Sequence, residues 1–286
     1  FIHKIVEKKP TNMPIHEFVD VVNPIFGVFK SDGVKVRFII DLRYINNFMR
    51  KYNFKLETIK VIRRMIFKGD YFISVDLSKA YYHLAINQKH QKYLGFTING
   101  EYYRMLALPM GASFSPFAFQ MLAKQVLFYI RQNMKIPRSS VYLDDGIFML
   151  QSLRIAEAKS KIIVQLYADL GFIINIPKSM TKPSRICIHL GFILDSMKMT
   201  VQATQRQQNN IKNAVAVLLQ FKQGNNMSLR EFAKLPGRII SQMPAVGPVA
   251  KIFSKNLLHF IVYIFIYIFI YIFIYLLAMH CFLFFV

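Results

Sequence analysis

Three aspartates could form a metal site, because each of them interrupts an otherwise apolar run. Asp144 and Asp145 are adjacent within Ser140–Leu150, where they are predicted to form the tight turn of a hairpin, and Asp76 lies near the end of Tyr71–Leu77. A buried ionised aspartate must be paired or must bind a cation, and adjacent carboxylates repel each other. If the two runs are neighbouring strands, their carboxylates can hold two Mg²⁺ ions, an arrangement that suits phosphoryl transfer. A plain solvated Asp-Asp-Gly turn is the alternative interpretation of the adjacent pair taken alone.

Basic side chains mark a second predicted hairpin near the start of the chain. Ile25–Lys30 and Val34–Asp41 have strand patterns and flank a Ser-Asp-Gly turn. Lys35 and Arg37 are two residues apart and share a face of the second strand, and Lys30 can join them from across the turn. Three cations on one side suit a triphosphate or a nucleic-acid backbone, whereas an ordinary solvated strand face is the alternative.

Two loops are predicted to lie close to a ligand. Ser78–His83 is expected to form a turn of helix that holds Tyr81 near the first aspartate. Leu108–Pro116 is rich in small residues and leads into a helix, which either Ser113 or Ser115 could cap. The N-terminal end of that helix can bring backbone N–H groups close to a bound group.

The remaining pattern alternates between helices and strands. Helical spacing of apolar residues predicts helices over residues 55–68, 152–169, 205–222 and 228–241. A capping box of Ser228 and Glu231 opens the last of these helices. Strand patterns and turn residues predict a hairpin turning at Asn99-Gly100, a strand over 172–176, a hairpin of 186–194 and 197–201, and a loop over 243–248.

Composition narrows the class of protein. The chain has 286 residues, 54% of them hydrophobic, which is enough for a sizeable core in one or two domains. Lys and Arg number 37 against 15 Asp and Glu, and the net charge of +22 favours a polyanionic partner, nucleic acid before an anionic membrane surface. Cys187 and Cys281 are too few for a disulfide framework or a four-ligand zinc site, and Cys187 with His189 is interpreted as a packed core strand.

The C-terminal tail has a composition of its own. Residues 257–286 contain no Asp, Glu, Lys or Arg, and Tyr263–Ile274 is three copies of Tyr-Ile-Phe-Ile. Residues 260–279 are long enough to span a bilayer as a helix, with Lys251 and Lys255 on the cytoplasmic side. The favoured interpretation is a translated simple-sequence repeat without a structural role, whose pattern is also typical of aggregation-prone strands.

Five motifs occur in the order in which reverse transcriptases carry them. They are Arg37–Asp41 (RFIID), Ser74–Tyr81 (SVDLSKAY), Leu108–Pro116 (LPMGASFSP), Tyr142–Asp145 (YLDD) and Leu190–Phe192 (LGF). A Tyr-x-Asp-Asp motif alone is a weak signal, whereas five motifs in order are a strong one. Over roughly residues 20–250 the chain resembles retroelement reverse transcriptases, and it is most similar to DIRS-like and gypsy-like elements, a likeness to which Ser241–Pro248 adds.

The resemblance implies an α+β right-hand polymerase with fingers, a palm of antiparallel sheet and helices, and a partial helical thumb. The implied divisions are an N-terminal approach segment (1–24), fingers and palm (25–200), a partial thumb (201–250) and a hydrophobic tail (251–286).

The resemblance also implies the roles of individual residues. The catalytic carboxylates and ligands of two Mg²⁺ ions, or of Mn²⁺, would be Asp76, Asp144 and Asp145. Tyr81 would be the aromatic gate that leaves no room for a 2′-hydroxyl and so favours dNTPs over NTPs. The other nucleotide-binding residues would be Lys30, Lys35, Arg37, Met110, Gly111 and Lys178, and the primer grip would be Leu190, Gly191 and Phe192.

The chain departs from the family pattern at a few positions. Met110 stands where an aromatic residue or glutamine is more usual, Lys79 stands where an acid is common, and no protease, ribonuclease H or integrase motif follows.

The expected activity is RNA-directed DNA synthesis from dNTPs on a primed RNA or DNA template. The start of the chain has no signal-peptide pattern, so the expected location is intracellular, in the cytoplasm or nucleus, or at a membrane if the tail inserts. An inactive remnant that binds nucleic acid, or a membrane through its tail, is the alternative function. An RNA-dependent RNA polymerase is disfavoured by Tyr81.

Overall fold

The computed structural model describes residues 5–29, 33–221, 229–246, 250–251 and 254–255. Within the chain there are two compact units, residues 1–187 and 188–286. Three features of the sequence lie outside the described residues, namely Lys30, the capping residue Ser228 and the tail after residue 255. No helix in the described ranges is long and apolar enough to cross a membrane.

The first unit combines short helices with antiparallel strands. Its strands are β1 (Val6–Lys8), β2 (Ile25–Phe29), β3 (Val36–Ile40), β4 (Tyr71–Asp76), β5 (Gly95–Ile98), β6 (Glu101–Met105), β7 (Ser139–Tyr142), β8 (Asp145–Leu150) and β9 (Met180–Ser184). Its α-helices are α1 (Ile15–Phe18), α2 (Arg43–Asn46), α3 (Ile59–Met65), α4 (Gln88–Gln91), α5 (Ser115–Gln132) and α6 (Leu153–Asp169), and a 3₁₀ turn covers Ala80–His83. The division between the units falls inside β10 (Ile186–His189).

A four-stranded sheet in the order β7-β8-β4-β9 forms the centre of the first unit. The side chains of β4 and β8 are almost all buried, so both strands read as continuous apolar runs, without the alternation of a half-exposed strand. Helices α5 and α6 supply buried partners for this sheet, including Phe119, Ile130 and Ile163, which pack with Ile73 and Phe148. Burial of these large side chains is the main favourable contribution to folding.

Two further groups of strands pack around a second core. Strands β1, β6 and β5 form one sheet and β2 with β3 forms a two-stranded ribbon. Their buried side chains include Ile40, Phe96 and Met105. The predicted turn at Asn99-Gly100 is confirmed, because β5 and β6 pair around it and both residues have positive φ, 50° and 79°.

A three-stranded sheet begins at the division between the units and continues into the second unit, which also contains helices. The sheet has the order β10-β11-β12, with β11 at Phe192–Asp195 and β12 at Thr200–Ala203. The helices are α7 (Gln205–Phe221), α8 (Leu229–Ile240) and α9 (Met243–Val246). The predicted single strand over 186–194 is therefore wrong: it breaks at Leu190-Gly191, where both residues have positive φ, 48° and 80°.

Other predicted elements differ from the structure in identifiable ways. The helix predicted over 55–68 covers only Ile59–Met65, and the loop predicted over 243–248 contains the short helix α9. The strand predicted over 172–176 is reduced to an isolated bridge between Leu77 and Ile174, followed by a turn. Neither predicted serine caps α5: Phe114 is the N-cap residue without a side-chain cap bond, and Ser115 is buried and donates to the Pro109 carbonyl at 2.8 Å.

Candidate active site

The hairpin that carries the adjacent aspartates turns one residue earlier than predicted. Tyr142 pairs with Asp145 across β7 and β8, so the two turn residues are Leu143 and Asp144. Leu143 has a φ of 52°, and its N–H donates to the Gln120 Oε1 at 2.8 Å. Asp145 therefore begins β8, and the glycine after it lies inside the sheet instead of in the turn.

Asp76, Asp144 and Asp145 lie at one end of the central sheet, because the two strand runs that carry them are neighbours. Asp76 is the last residue of β4 and pairs directly with Asp145, the first residue of β8. The N–H of Leu77 donates to the backbone carbonyl of Asp144 at 2.8 Å. This bond fixes the turn against the strand that carries Asp76.

Burial and like charge raise the pKa of two of these carboxyls. Desolvation is the main cause of the raised pKa of Asp76, and Asp145 adds to it, while Lys178 and a hydrogen bond with Asn175 act in the opposite direction. Desolvation is also the main cause for Asp144, whose pKa is raised further by Asp76 and Asp145 and lowered by a backbone hydrogen bond and Lys178. The local cation therefore compensates these carboxyls only in part, which favours binding of a further cation.

The carboxylate oxygens of Asp76 and Asp144 are chemically suitable ligands for a divalent ion. Half-buried carboxylate oxygens with raised pKa are ligands that Mg²⁺ and Mn²⁺ accept. Within the described residues, no three or more His, Cys, Asp and Glu side chains are gathered closely enough to hold a metal ion. Asp76 and Asp144 are the pair whose mutual repulsion a cation would relieve, and we treat these two as the principal candidate ligands.

Tyr81 lies beside the carboxyls on the 3₁₀ turn that follows β4. Its ring packs edge-on against Phe119, with centroids 6.0 Å apart. Burial raises the pKa of the Tyr81 hydroxyl, and Asp144 and Tyr142 raise it further. Tyr81 therefore lies within electrostatic range of Asp144, and its role as an aromatic gate stays a prediction.

The segment after α6 holds Asp76 from the other side. The N–H of Asn175 donates to the backbone carbonyl of Asp76 at 2.8 Å, and the N–H of Asp76 donates to the Ser179 Oγ at 3.0 Å. Between these two residues, Lys178 is exposed and acts on the pKa of both Asp76 and Asp144. Sequence reasoning found Lys178 but missed Asn175 and Ser179, because short polar residues beside a proline are typical of any turn.

Met110 and Gly111 lie against the end of β3. The N–H of Ile40 donates to the carbonyl of Met110 at 3.3 Å. Gly111 has a φ of 115°, and a Cβ at this position would overlap the carbonyl oxygen of Ile40. The loop is anchored by Asn46, whose side chain donates to the Gly111 carbonyl at 2.9 Å and accepts from the Ser113 N–H at 2.8 Å. Sequence reasoning missed Asn46, since its partners are more than sixty residues away.

The two strands of the predicted cationic hairpin form, whereas Lys30 and part of the turn lie outside the described residues. Strands β2 and β3 pair as expected, and Lys35 and Arg37 are exposed towards the start of β3. Neither side chain contributes to the pKa shift of Asp76 or Asp144. Their predicted role towards a triphosphate therefore stays a prediction.

The predicted primer-grip residues belong to the second unit. Leu190 and Gly191 form the turn between β10 and β11, and Phe192 begins β11 with its side chain buried. A Cβ at Gly191 would lie 2.8 Å from the Gln207 Nε2, so this turn is closely packed by α7. Cys187 and His189 are both buried in β10, and burial raises the pKa of the Cys187 thiol to about 12.

Known proteins are similar to this chain in sequence. Residues 29–194 match the model of the reverse transcriptase (RNA-dependent DNA polymerase) family. Protein P of Duck hepatitis B virus (isolate brown Shanghai duck S5) is 25% identical over 190 residues, which cover 65% of this chain and 24% of that protein. The Gag-Pol polyprotein of Walleye dermal sarcoma virus is 24% identical over 239 residues, which cover 82% of this chain and 13% of the polyprotein. The chain therefore spans a quarter or less of the length of these relatives.

Solved structures show the same fold. The foamy viral protease-reverse transcriptase in complex with an RNA/DNA hybrid is 20% identical, with a TM-score of 0.66. The aligned region covers 84% of this chain and 29% of that chain. The dRH form in complex with double-stranded DNA is 21% identical, with a TM-score of 0.64. The aligned region covers 83% of this chain and 37% of that chain. The predicted α+β right-hand polymerase fold is therefore confirmed. Since the family model matches more than half of its residues, this chain belongs to the reverse transcriptase (RNA-dependent DNA polymerase) family.

Proposed function

We propose that this chain carries out RNA-directed DNA synthesis, adding deoxynucleotides from dNTPs to a primer 3′-hydroxyl on an RNA or DNA template. The observation that supports the proposal is the position of Asp76, Asp144 and Asp145 at adjoining ends of β4 and β8, where Asp144 influences the Tyr81 hydroxyl and Lys178 influences Asp144.

Asp76 and Asp144 would hold Mg²⁺, or Mn²⁺, with Asp145 as the third carboxylate of the site. Two such ions, when bound, would activate the primer hydroxyl and offset the negative charge of the phosphates. The contribution of the protein is to fix the carboxylates through the β4–β8 register and to hold them partly out of water, where they attract a cation more strongly.

Four other side chains would handle the nucleotide. The Tyr81 ring would pack against the sugar and exclude a 2′-hydroxyl. The ammonium group of Lys178 would donate a proton towards the leaving pyrophosphate, while Lys35 and Arg37 would bind the triphosphate. Gly111 would let the backbone approach the nucleotide closely, because no Cβ projects from it.

The partner would be a primed nucleic acid. The net charge of +22 supports this, because a broadly basic chain is attracted to phosphates whatever the base sequence. Leu190, Gly191 and Phe192 would contact the primer. The order of the five motifs, together with Ser241–Pro248, supports an origin in a DIRS-like or gypsy-like retrotransposon.

Primer extension by the full chain tests the proposal. A DNA primer on a poly(rA) template should be extended with dTTP in the presence of Mg²⁺, should not be extended when the ion is chelated, and should be extended far less with UTP. Binding of the primer–template without any extension would contradict the proposal and would favour the inactive remnant. Equal use of UTP would contradict the role of Tyr81.

A further inference from the structure

His83 has both ring nitrogens engaged by the backbone of two different segments. It is the last residue of the 3₁₀ turn Ala80–His83, which carries Tyr81. Its Nδ1 lies 3.0 Å from the carbonyl oxygen of Ala80, inside the same turn. Its Nε2 accepts the N–H of Ile173, 90 residues away, at 3.0 Å.

These two contacts define one tautomer. A backbone N–H always donates, so the Nε2 facing Ile173 must be the unprotonated acceptor. A carbonyl oxygen always accepts, so the Nδ1 facing Ala80 must carry the hydrogen. The ring also packs against Phe172 with centroids 5.2 Å apart.

The segment that His83 contacts is the one that holds Asp76. The carbonyl of Ile173 accepts the N–H of Ser78 at 2.7 Å, and Ile174 forms an isolated bridge with Leu77. Two residues further on, Asn175 bonds the backbone carbonyl of Asp76 and lowers the pKa of its carboxyl. Isolated bridges and short turns have few bonds of their own, so one side-chain contact matters more here than inside a sheet.

We propose that His83 is a positioning residue that couples the turn carrying Tyr81 to the segment carrying Asn175 and Lys178. Through these contacts it sets the place of the Tyr81 ring relative to Asp76, and with it the selection of deoxyribose over ribose. The inference deepens the proposed polymerase function and rests on it. In this proposal His83 acts through its hydrogen bonds to the backbone of the two segments.

Three variants of the full chain separate positioning from packing. His83→Ala removes both hydrogen bonds. His83→Gln is the conservative variant, because its amide oxygen can accept the Ile173 N–H from a similar position. Phe172→Leu is the matched control, because it removes the ring contact and leaves the His83 hydrogen bonds in place.

The decisive quantity is the ratio of kcat/KM for dTTP to that for UTP on a poly(rA) template. Loss of one well-placed hydrogen bond corresponds to about tenfold, so we expect His83→Ala to lower this ratio by about five- to tenfold. His83→Gln should restore most of it, and Phe172→Leu should lower stability while leaving the ratio within about twofold of wild type. An unchanged ratio in His83→Ala, or an equal loss in Phe172→Leu, would overturn the proposal.

Hydrogen exchange of the backbone gives a readout that does not depend on activity. The Ile173 amide should exchange slowly in wild type and in His83→Gln, and faster in His83→Ala. Equal exchange in wild type and His83→Ala would overturn the coupling. A wild-type chain that fails to extend primers but shows the expected exchange pattern would overturn the polymerase function while supporting the coupling of the two segments.

Discussion

At the scale of single residues, the site depends on carboxyls whose charge the protein leaves partly uncompensated. Asp76 and Asp144 are desolvated and repelled by neighbouring carboxylates, and Lys178 offsets part of this cost. A fully neutralised pair would have little affinity for Mg²⁺, whereas a pair without Lys178 would be more costly to ionise. This intermediate compensation of charge would suit the proposed site, which would have to bind and release substrate-bound metal.

The raised pKa values predict the pH dependence of extension. As the pH falls, Asp76 and Asp144 take up protons and would no longer serve as the proposed metal ligands, and this begins at a higher pH than for an ordinary aspartate near 3.9. Because Mg²⁺ and protons compete for the same oxygens, the acid limb of the kcat/KM profile should move to lower pH as the Mg²⁺ concentration rises. An acid limb that does not respond to Mg²⁺ would contradict this assignment.

The same raised pKa values predict that the metal-free protein becomes less stable as the pH rises. A carboxyl whose pKa is raised in the folded state binds its proton more tightly when folded, so stability falls as the pH rises from the unfolded to the folded pKa. In the absence of metal, Asp144→Asn should therefore unfold at a higher temperature than wild type near neutral pH. Added Mg²⁺ should raise the Tm of wild type more than that of the variant. A lower Tm for the metal-free variant would contradict the raised pKa.

A buried ion pair supports the far end of the central sheet. Asp70 is fully buried and accepts hydrogen bonds from Arg138, Gln151 and the Phe67 N–H, and the Arg138 guanidinium lies 4.2 Å from the Phe67 ring centroid. Arg138→Met would leave a buried carboxylate without its cation, and we expect a loss of about 3–5 kcal/mol in the free energy of unfolding.

The matched control for Arg138→Met is an exposed pair. Lys8 and Glu101 lie 3.4 Å apart with side chains 56% and 53% exposed, so Lys8→Met should cost less than about 1 kcal/mol. Urea unfolding measures both variants. Similar losses in the two would show that the Asp70 pair is not stabilised by its burial and hydrogen bonds.

At the scale of elements, sequence patterns predicted the strands, turns and helices that depend on residues close together in the sequence. The β4 strand, the Asn99-Gly100 hairpin and α6 follow from apolar runs, turn residues and helical spacing. The turn at Leu143 could not be predicted, because a leucine rarely adopts a positive φ. This one is held by a hydrogen bond to Gln120 of helix α5. Tertiary hydrogen bonds decide such positions.

The same limit applies to the supports of the site. Asn46, Asn175, Ser179 and His83 have residue types that are common in any loop, and their partners lie far away in sequence. The candidate aspartates were found because a carboxylate in an apolar run is rare, whereas no comparable signal marks the residues that hold them.

Gly111 lies in the loop before α5 and closely approaches the Ile40 carbonyl, and Gly171, which follows α6, serves as its matched control. Both have positive φ, 115° and 81°, but a Cβ at Gly171 would meet nothing within 4 Å, whereas one at Gly111 would overlap the Ile40 carbonyl oxygen. Gly171→Ala should cost about 1 kcal/mol, the usual penalty for a left-handed residue. Gly111→Ala should cost about 1–3 kcal/mol more and should raise the KM for dNTP, because the loop must shift. Equal Tm values for the two variants would contradict the close approach.

At the scale of the whole molecule, charge should dominate binding of nucleic acid. The excess of 37 basic over 15 acidic residues extends along the chain rather than forming one short tail. Each phosphate contact contributes about −0.9 to the slope of log K against log salt concentration for duplex DNA. We expect the affinity for a primer–template to fall by about a thousandfold between roughly 50 and 200 mM salt, as for about six or more contacts. A change of less than about twofold, measured by fluorescence anisotropy, would contradict a basic binding surface.

The most direct test of the central claim is the single-turnover rate of dTTP addition by the full chain and its Asp144→Asn variant, with Mg²⁺ and a bound primer–template. Asparagine keeps the size of the side chain and removes the charge that would hold the metal. We predict a fall of about a thousandfold in the rate, with the affinity for primer–template changed by less than about threefold. A variant that retained the rate to within about tenfold would contradict the assignment of Asp144, and with it the account of how this site works.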